Sequence, residues 1–291
     1  MIWVVGAVAI DMIAMREHFL DGTSNPSDIT LGLGGVGYRI FSNLETPRRF
    51  ITALASDPIS LWAREALEAD GDVAIQDVKG RDAGPPLYLA LMESGILKVA
   101  ASDFRIVEQA LTPEFVTGQI GETSDGDYLV LDANLSPRLL AGLVDRYAGT
   151  ARVVFEPVSV EKSHRHLAAL RRLFLTTPTT EELEAFDAGD PLRFIADREI
   201  ANLLVTRGPG GARLYSGGSF IDFPPRVVIS ARDSTGAGDQ LLAFLLTALH
   251  EGRGMQEAVR DAMDGVEKLL QMPPGATGQM PPGATGQKGS Q

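Results

Sequence analysis

Six short apolar runs punctuate the chain: IWVVG (2–6), FITAL (50–54), YLVLD (128–132), RVVFE (152–156), LFLTT (173–177) and NLLVT (202–206). They are rich in β-branched and aromatic residues and show little polar–apolar alternation, as strands buried on both faces do. Amphipathic stretches at 60–69, 136–147 and 162–172 lie between several of them and predict helices. Strands that alternate with helices assemble into a mainly parallel sheet covered on both sides, so the fold class is α/β. The chain's 291 residues suffice for one large α/β domain or two small ones, with a core that needs no covalent staples. The chain contains no cysteine, which excludes disulfides and thiolate metal sites and makes a reducing cytoplasm the expected compartment.

Other segments have a different texture. At 87–101, LYLALMESGILKVAA places two extended runs around Glu93-Ser94-Gly95, which predicts a hairpin and hence a small accessory sheet. The N-terminal MIWVVGAVAIDMIAM has no basic leader and carries Asp11, so it reads as a buried first strand rather than a signal peptide. The run LLAFLLTAL falls far short of a membrane span. Twenty-six basic against 38 acidic residues give a formal charge of −12, which disfavours a nucleic-acid partner. QMPPGATG occurs at 271–278 and again at 279–286, and so Pro/Gly-rich a tail, 271–291, is expected to be mobile.

The chemistry concentrates in DSTGAGDQLLAFLLTAL (233–249), where small residues lead into an acid at the start of an apolar helix. A helix N-terminus offers unpaired N–H groups and the positive end of the macrodipole. Gly236, Ala237 and Gly238 would let an anion approach those groups closely. Asp239 then suits a transferred phosphoryl group, because its carboxylate can take the proton of an attacking hydroxyl while the N–H groups hold the developing charge. The bland alternative is a glycine turn with Asp239 as an ordinary helix-start acid. GLGGVGYRIFSNL (32–44) is a second glycine cluster opening a helix, and VTRGPGGARLY (205–215) reads as strand, glycine turn and strand. No P-loop ending and no dinucleotide fingerprint with its downstream acid occur.

These pieces, in this order, resemble the ribokinase-like (PfkB) carbohydrate kinase family over about residues 2 to 270. Asp233 through Asp239 match its second signature, Gly34-Gly35 the glycine pair of its first, and Thr206, Gly208 and Gly211 its T-x-G-x-x-G turn. Within the family the chain is most similar to the pseudouridine kinases, through GTSNP (22–26), GGVG (34–37), YLALMESGILKVAASD (88–103), ANLS (133–136) and EPVSVEK (156–162). The resemblance implies a three-layer kinase domain over 1–270 with a mainly parallel sheet and a small β lid drawn from about 11–33 and 85–102. It implies transfer of the γ-phosphate of ATP, with Mg²⁺, to the 5′-hydroxyl of a ribosyl group, and a homodimer formed through the lid; the alternatives are a kinase for another sugar or nucleoside and a catalytically degenerate relative that binds a nucleoside or nucleotide.

By the same resemblance Asp239 is the base, and Gly236, Ala237 and Gly238 form the anion hole. Asp11, Asn25, Gly35, Arg39 and Tyr88 would face the sugar or nucleoside substrate; Thr179, Thr206, Gly208, Gly211 and Lys162 would face the nucleotide. Glu182 would hold magnesium through water, and Asp233 lies where the family often holds a monovalent cation such as K⁺. The chain also departs from the pattern: Arg39 and Thr179 replace asparagines, Glu156 replaces an aspartate, and Pro86-Leu87 replaces a small polar residue. Arg39 cannot shed its charge and must find an acid, an anionic ligand or solvent. Pairing with Asp11, receipt of a substrate anion and a solvent-facing side chain are the three outcomes, and a change of substrate choice is the expected effect. Glu182 has a plain alternative as a helix-start acid, and Lys162 as a surface lysine. His164 and His166, alternate residues in a helical stretch, are expected on a solvated face.

Overall fold

The computed structural model describes residues 1–79, 84–226 and 236–271. Its first half runs β1 (Ile2–Val5), β2 (Ala9–Arg16), β3 (Asp28–Gly34), α1 (Val36–Asn43), β4 (Arg48–Ala55), α2 (Pro58–Asp70), β5 (Val73–Val78), β6 (Leu87–Glu93), β7 (Ile96–Asp103), α3 (Arg105–Ala110), α4 (Pro113–Ile120) and β8 (Tyr128–Asp132). The second half runs α5 (Pro137–Tyr147), β9 (Arg152–Glu156), α6 (Val160–His164), β10 (Leu175–Thr176), α7 (Thr180–Ala185), α8 (Pro191–Asp197), β11 (Asn202–Thr206), β12 (Ala212–Ser216), β13 (Ser219–Phe223), α9 (Ala237–His250) and α10 (Met255–Gln271).

Nine strands form one sheet in the order β13-β12-β11-β10-β9-β8-β1-β4-β5. All of its pairings are parallel except those of β12 with β11 and β13. Side chains alternate across a strand, so each central strand feeds two cores. In β1, Trp3 and Val5 join the core built with α3, α4, α5 and α8, while Ile2 and Val4 join the one built with α1, α2, α9 and α10. Both faces are covered, which is why the six runs read as unbroken apolar stretches.

Helix starts follow local capping chemistry. The Asp57 side chain accepts from the amides of Ile59 and Ser60 at the head of α2, and Ser136 accepts from Leu139 at the head of α5, each with proline in the first turn. The predicted helix at 162–172 is a correction. α6 ends at His164, a single 3-10 turn follows at Leu167–Ala169, and Arg172 adopts φ 53°, which no helix can continue through. His166 is likewise not on a solvated face. It is 1% exposed, bonds the Ala133 carbonyl through Nε2 at 3.1 Å and packs against Phe155. The break in the helix turns the ring inward, and burial lowers its pKa.

A separate four-stranded sheet has the order β3-β2-β6-β7. The expected hairpin is present as β6 and β7, reversing through Ser94 (φ 51°) and Gly95 (φ 80°). β2 pairs in parallel with β6, so two segments distant in sequence close one small sheet, and Asp11 registers with Tyr88.

Candidate active site

Open parallel sheets gather ligand groups outside the carboxyl ends of their strands. Asp132 and Glu156 end β8 and β9, Thr177 follows β10, and Thr206 ends β11. A cleft of about 150 Å³ lies there, lined by Glu156, Thr177, Thr179, Glu182, Thr206 and Asp239, with Gly238 on the same wall. The N-terminus of α9 opens into this cleft. Gly236 caps it in the left-handed region (φ 80°, ψ 1°), and among the described residues no side chain caps it. Among the described residues, a Cβ added to Gly238 would meet nothing within 4 Å.

Asp239 sits in the first turn of α9, 8% exposed. Burial pushes its pKa up to about 7; the Arg39 guanidinium pulls it down, and the charges of Asp132 and Glu182 push it up. A carboxyl poised there can receive a proton near neutral pH. Glu156 was missed among the sequence-predicted site residues. Its Oε2 accepts from Thr177 Oγ1 at 2.5 Å and its Oε1 from the Val158 amide at 3.3 Å. Burial holds its pKa well above the carboxylate range, with Asp239 and Glu182 adding to the rise. The available signal was an acid at the end of a run read as a doubly buried strand.

Thr179 and Glu182 form a reciprocal cap on α7. Glu182 N donates to Thr179 Oγ1 at 3.2 Å, and Thr179 N donates to Glu182 Oε2 at 2.9 Å. Threonine therefore keeps the capping function at a position where the resemblance called for asparagine. Thr179 also bridges to Thr206. Gly208 and Gly211 flank the turn after β11; a Cβ on Gly211 would fall 2.2 Å from the Phe223 carbonyl oxygen, so the two strands can close only over a bare backbone there.

At the other side of the site, Asp11 is 3% exposed at the base of β2. Gly34 makes room for it: a Cβ there would lie 2.1 Å from Asp11 Oδ2. Gly35 has φ 89°, and its Cβ would meet backbone of Ala9 and Ala7 at 2.7 and 2.8 Å. Arg39 Nη2 donates to Asp11 Oδ2 at 3.2 Å, the first of the three outcomes for this arginine. The same guanidinium reaches toward α9, where a Cβ on Gly236 would stand 3.0 Å from Arg39 Nη1 and 3.8 Å from Asp239 Oδ2. Burial raises the pKa of Asp11, and Arg39 opposes that rise.

Two expected ligand groups are occupied elsewhere. Asn25 spends its amide inside the β2–β3 loop, accepting from Leu20 N and Arg16 Nη1 and donating to Leu20 O and Thr23 O. Lys162 donates to Asn134 Oδ1 at 2.5 Å, with its ammonium 4.3 Å over the Phe104 ring, and is not among the cleft-lining residues. Asn134 in turn bonds the fully buried Asp132. Asp233 lies outside the described residues, as does the 272–291 segment of the repeat-bearing tail. Among the described residues no group of three or more His, Asp or Glu side chains is arranged as a metal site, and no helix is long and apolar enough to cross a membrane.

A buried carboxyl at an open helix N-terminus, set at the carboxyl edge of a parallel sheet with a small second sheet alongside, defines an α/β fold built for handling phosphoryl groups. Residues 1–264 match the pfkB family carbohydrate kinases, and the chain belongs to that family. It is 24% identical to the pseudouridine kinase of Escherichia coli (strain K12) over 276 residues, covering 89% of this chain and 87% of that protein. A carbohydrate kinase from Agrobacterium tumefaciens superposes with a TM-score of 0.78 at 25% identity, covering 93% of this chain and 91% of that one. The ribokinase of Arabidopsis thaliana, solved with ribose and ATP, superposes with a TM-score of 0.72 at 18% identity, covering 94% and 99%.

Proposed function

We propose that this kinase transfers the γ-phosphoryl group of ATP to a ribosyl 5′-hydroxyl, with pseudouridine as the leading acceptor. The observation that carries the reading is Asp239: a buried carboxyl of pKa about 7 in the first turn of a helix that no side chain caps among the described residues. The acceptor oxygen bonds to the γ-phosphorus, the bond from that phosphorus to the β–γ bridging oxygen breaks, and the hydroxyl proton passes to Asp239. ADP leaves with the electron pair of the broken bond. The amides of Ala237 and Gly238 hold charge on the phosphoryl oxygens. Thr179, Thr206 and the Gly208–Gly211 turn face the nucleotide.

Asp11, Tyr88 and the backbone at Gly35 hold the acceptor. The small sheet serves as a lid, and its exposed Ile29, Leu31, Leu89, Leu97 and Val99 pair with the same face of a second copy. Magnesium suits the donor set: it favours hard oxygens and is held through one or two carboxylates plus phosphates and waters, and Glu182 would supply a carboxylate through water. When bound, it offsets charge on the ATP phosphates. ATP as donor and a cysteine-free chain favour the cytoplasm as its compartment.

Pseudouridine is favoured by the motif set at 22–26, 34–37, 88–103, 133–136 and 156–162 and by the likeness to a pseudouridine kinase over most of both chains. A second reading, a kinase for another ribosyl compound or sugar, is favoured by the Arg39–Asp11 pair, which occupies an acid meant for acceptor hydroxyls. An ATP-consumption screen over pseudouridine, uridine, other nucleosides, ribose and common hexoses tests both. Pseudouridine should give the highest kcat/KM; a different preferred acceptor overturns the substrate, and no turnover on any overturns the ribosyl reading.

A further inference from the structure

Arg39 belongs to α1, yet its guanidinium spans the site between β2 and α9. Nη2 bonds Asp11, and Nη1 stands 3.0 Å from the position a Cβ would take on Gly236, the N-cap of α9. We propose that Arg39 is a catalytic residue of the transfer itself: Nη1 donates to a non-bridging oxygen of the γ-phosphoryl group in flight, while Nη2 holds Asp11. This rests on the kinase reading above and adds a side-chain cation to the backbone amides of the anion hole.

Three observations support it. First, only one of the five N–H donors of Arg39 is used among the described residues, so the rest of the fork can serve a ligand. Second, its side chain is 29% exposed, neither free in solvent nor sealed in the core, and its guanidinium lies beside the N-cap of α9 rather than among the residues that line the cleft. Third, the site is crowded with acids. Asp132 from β8, Glu156 from β9 and Glu182 from α7 all bear on Asp239, and Asp11 faces Arg39 from β2. A phosphoryl group entering that field needs a counter-charge, and among the described residues Arg39 is the one cation acting on Asp239. A single charged fork can therefore steady the transferred group and keep the base ionised.

The test compares wild type with Arg39→Met, Arg39→Lys and Arg39→Asn. Calorimetry measures binding of Mg-ADP alone and of Mg-ADP with aluminium fluoride, a mimic of the phosphoryl group in transfer that requires no identified acceptor. The proposal expects Arg39→Met to leave Mg-ADP affinity unchanged and to weaken the aluminium fluoride complex by about 10² or more, as removal of an anion-hole donor does. Arg39→Lys should recover part of that loss. The acid limb of the pH–rate profile should move to higher pH in the Met and Asn variants, because the charge that favours ionised Asp239 is gone. An unchanged aluminium fluoride complex, with the whole effect in the KM of an anionic acceptor, would overturn the proposal and make Arg39 a reader of substrate charge. A gain in turnover with Arg39→Asn would also overturn it. Failure of the kinase reading itself shows separately, as no ATP-dependent turnover of the wild type on any acceptor in the screen. Thermal melts of each variant confirm folding before the comparison.

Discussion

Replacing Asp239 with asparagine should disable the enzyme and stabilise the protein at the same time. The carboxyl has a reference pKa of 3.8 and is pushed up to about 7 in the folded chain, chiefly by burial. The folded state therefore holds its proton more tightly than the unfolded state does. The sign follows: its contribution to stability is fully present below about pH 4 and is lost as pH rises through about 7. A difference of about three units, at 1.36 kcal/mol each, makes ionised Asp239 an expense of about 4 kcal/mol above pH 8. Asparagine keeps the shape and cannot ionise. At pH 8 the variant should gain up to about 4 kcal/mol over wild type, about 8 °C in Tm for a chain this large. The gain should vanish near pH 4, where wild-type Asp239 is protonated. Turnover should meanwhile fall by about 10² to 10⁴, the usual loss of a general base. Scanning calorimetry from pH 4 to 8.5, paired with an ADP-release assay, reads both. A variant no more stable at pH 8 than wild type would refute the burial argument, and one with wild-type turnover would refute the assignment of the base.

Substitutions at three further positions probe the surroundings. Gly238→Val should fold normally, because its Cβ meets nothing within 4 Å among the described residues, yet lose about 10²-fold in turnover by standing in the anion hole; normal transfer would show that the turn is only structural. Gly34→Ala would set a methyl 2.1 Å from Asp11 Oδ2, so it should raise the acceptor KM and cost about 1–3 kcal/mol in a urea melt, and an unchanged KM would remove Asp11 from acceptor binding. Thr179→Ala should cost about 1 kcal/mol through loss of the α7 cap while Thr179→Asn costs almost nothing; equal urea midpoints for both variants would mean that the reciprocal hydrogen bonds contribute nothing.

Legibility in the sequence followed the range of the interactions. The buried strands were readable because both faces are apolar, and the Ser94-Gly95 reversal because its backbone favours those residue types. The Gly236–Asp239 motif was readable because its chemistry lies within one helical turn. The pairing of Arg39 with Asp11 was open, since two groups 28 positions apart on different elements meet only after the small sheet forms. Glu156 looked like the end of a strand; only the arrival of Thr177, Glu182 and Asp239 turns it into a cleft residue. His166 was misplaced because helical periodicity was assumed past His164, where the chain turns and drives the ring under Ala133. Thr179 looked like a loss until its reciprocal bonds with Glu182 showed that the cap persists.

The position of β1 has a consequence for synthesis. Ile2 pairs with Arg48 on one side and with Tyr128 on the other. β1 therefore waits for about 80 further residues after its first neighbour before its second exists. At about 5–20 residues per second, that leaves an apolar edge open on the nascent chain for about 4–16 s. An unpaired edge of this kind templates association with other chains. Yield of folded protein should depend on how quickly translation reaches β8 and on whether a chaperone covers Ile2–Val5 in the interval.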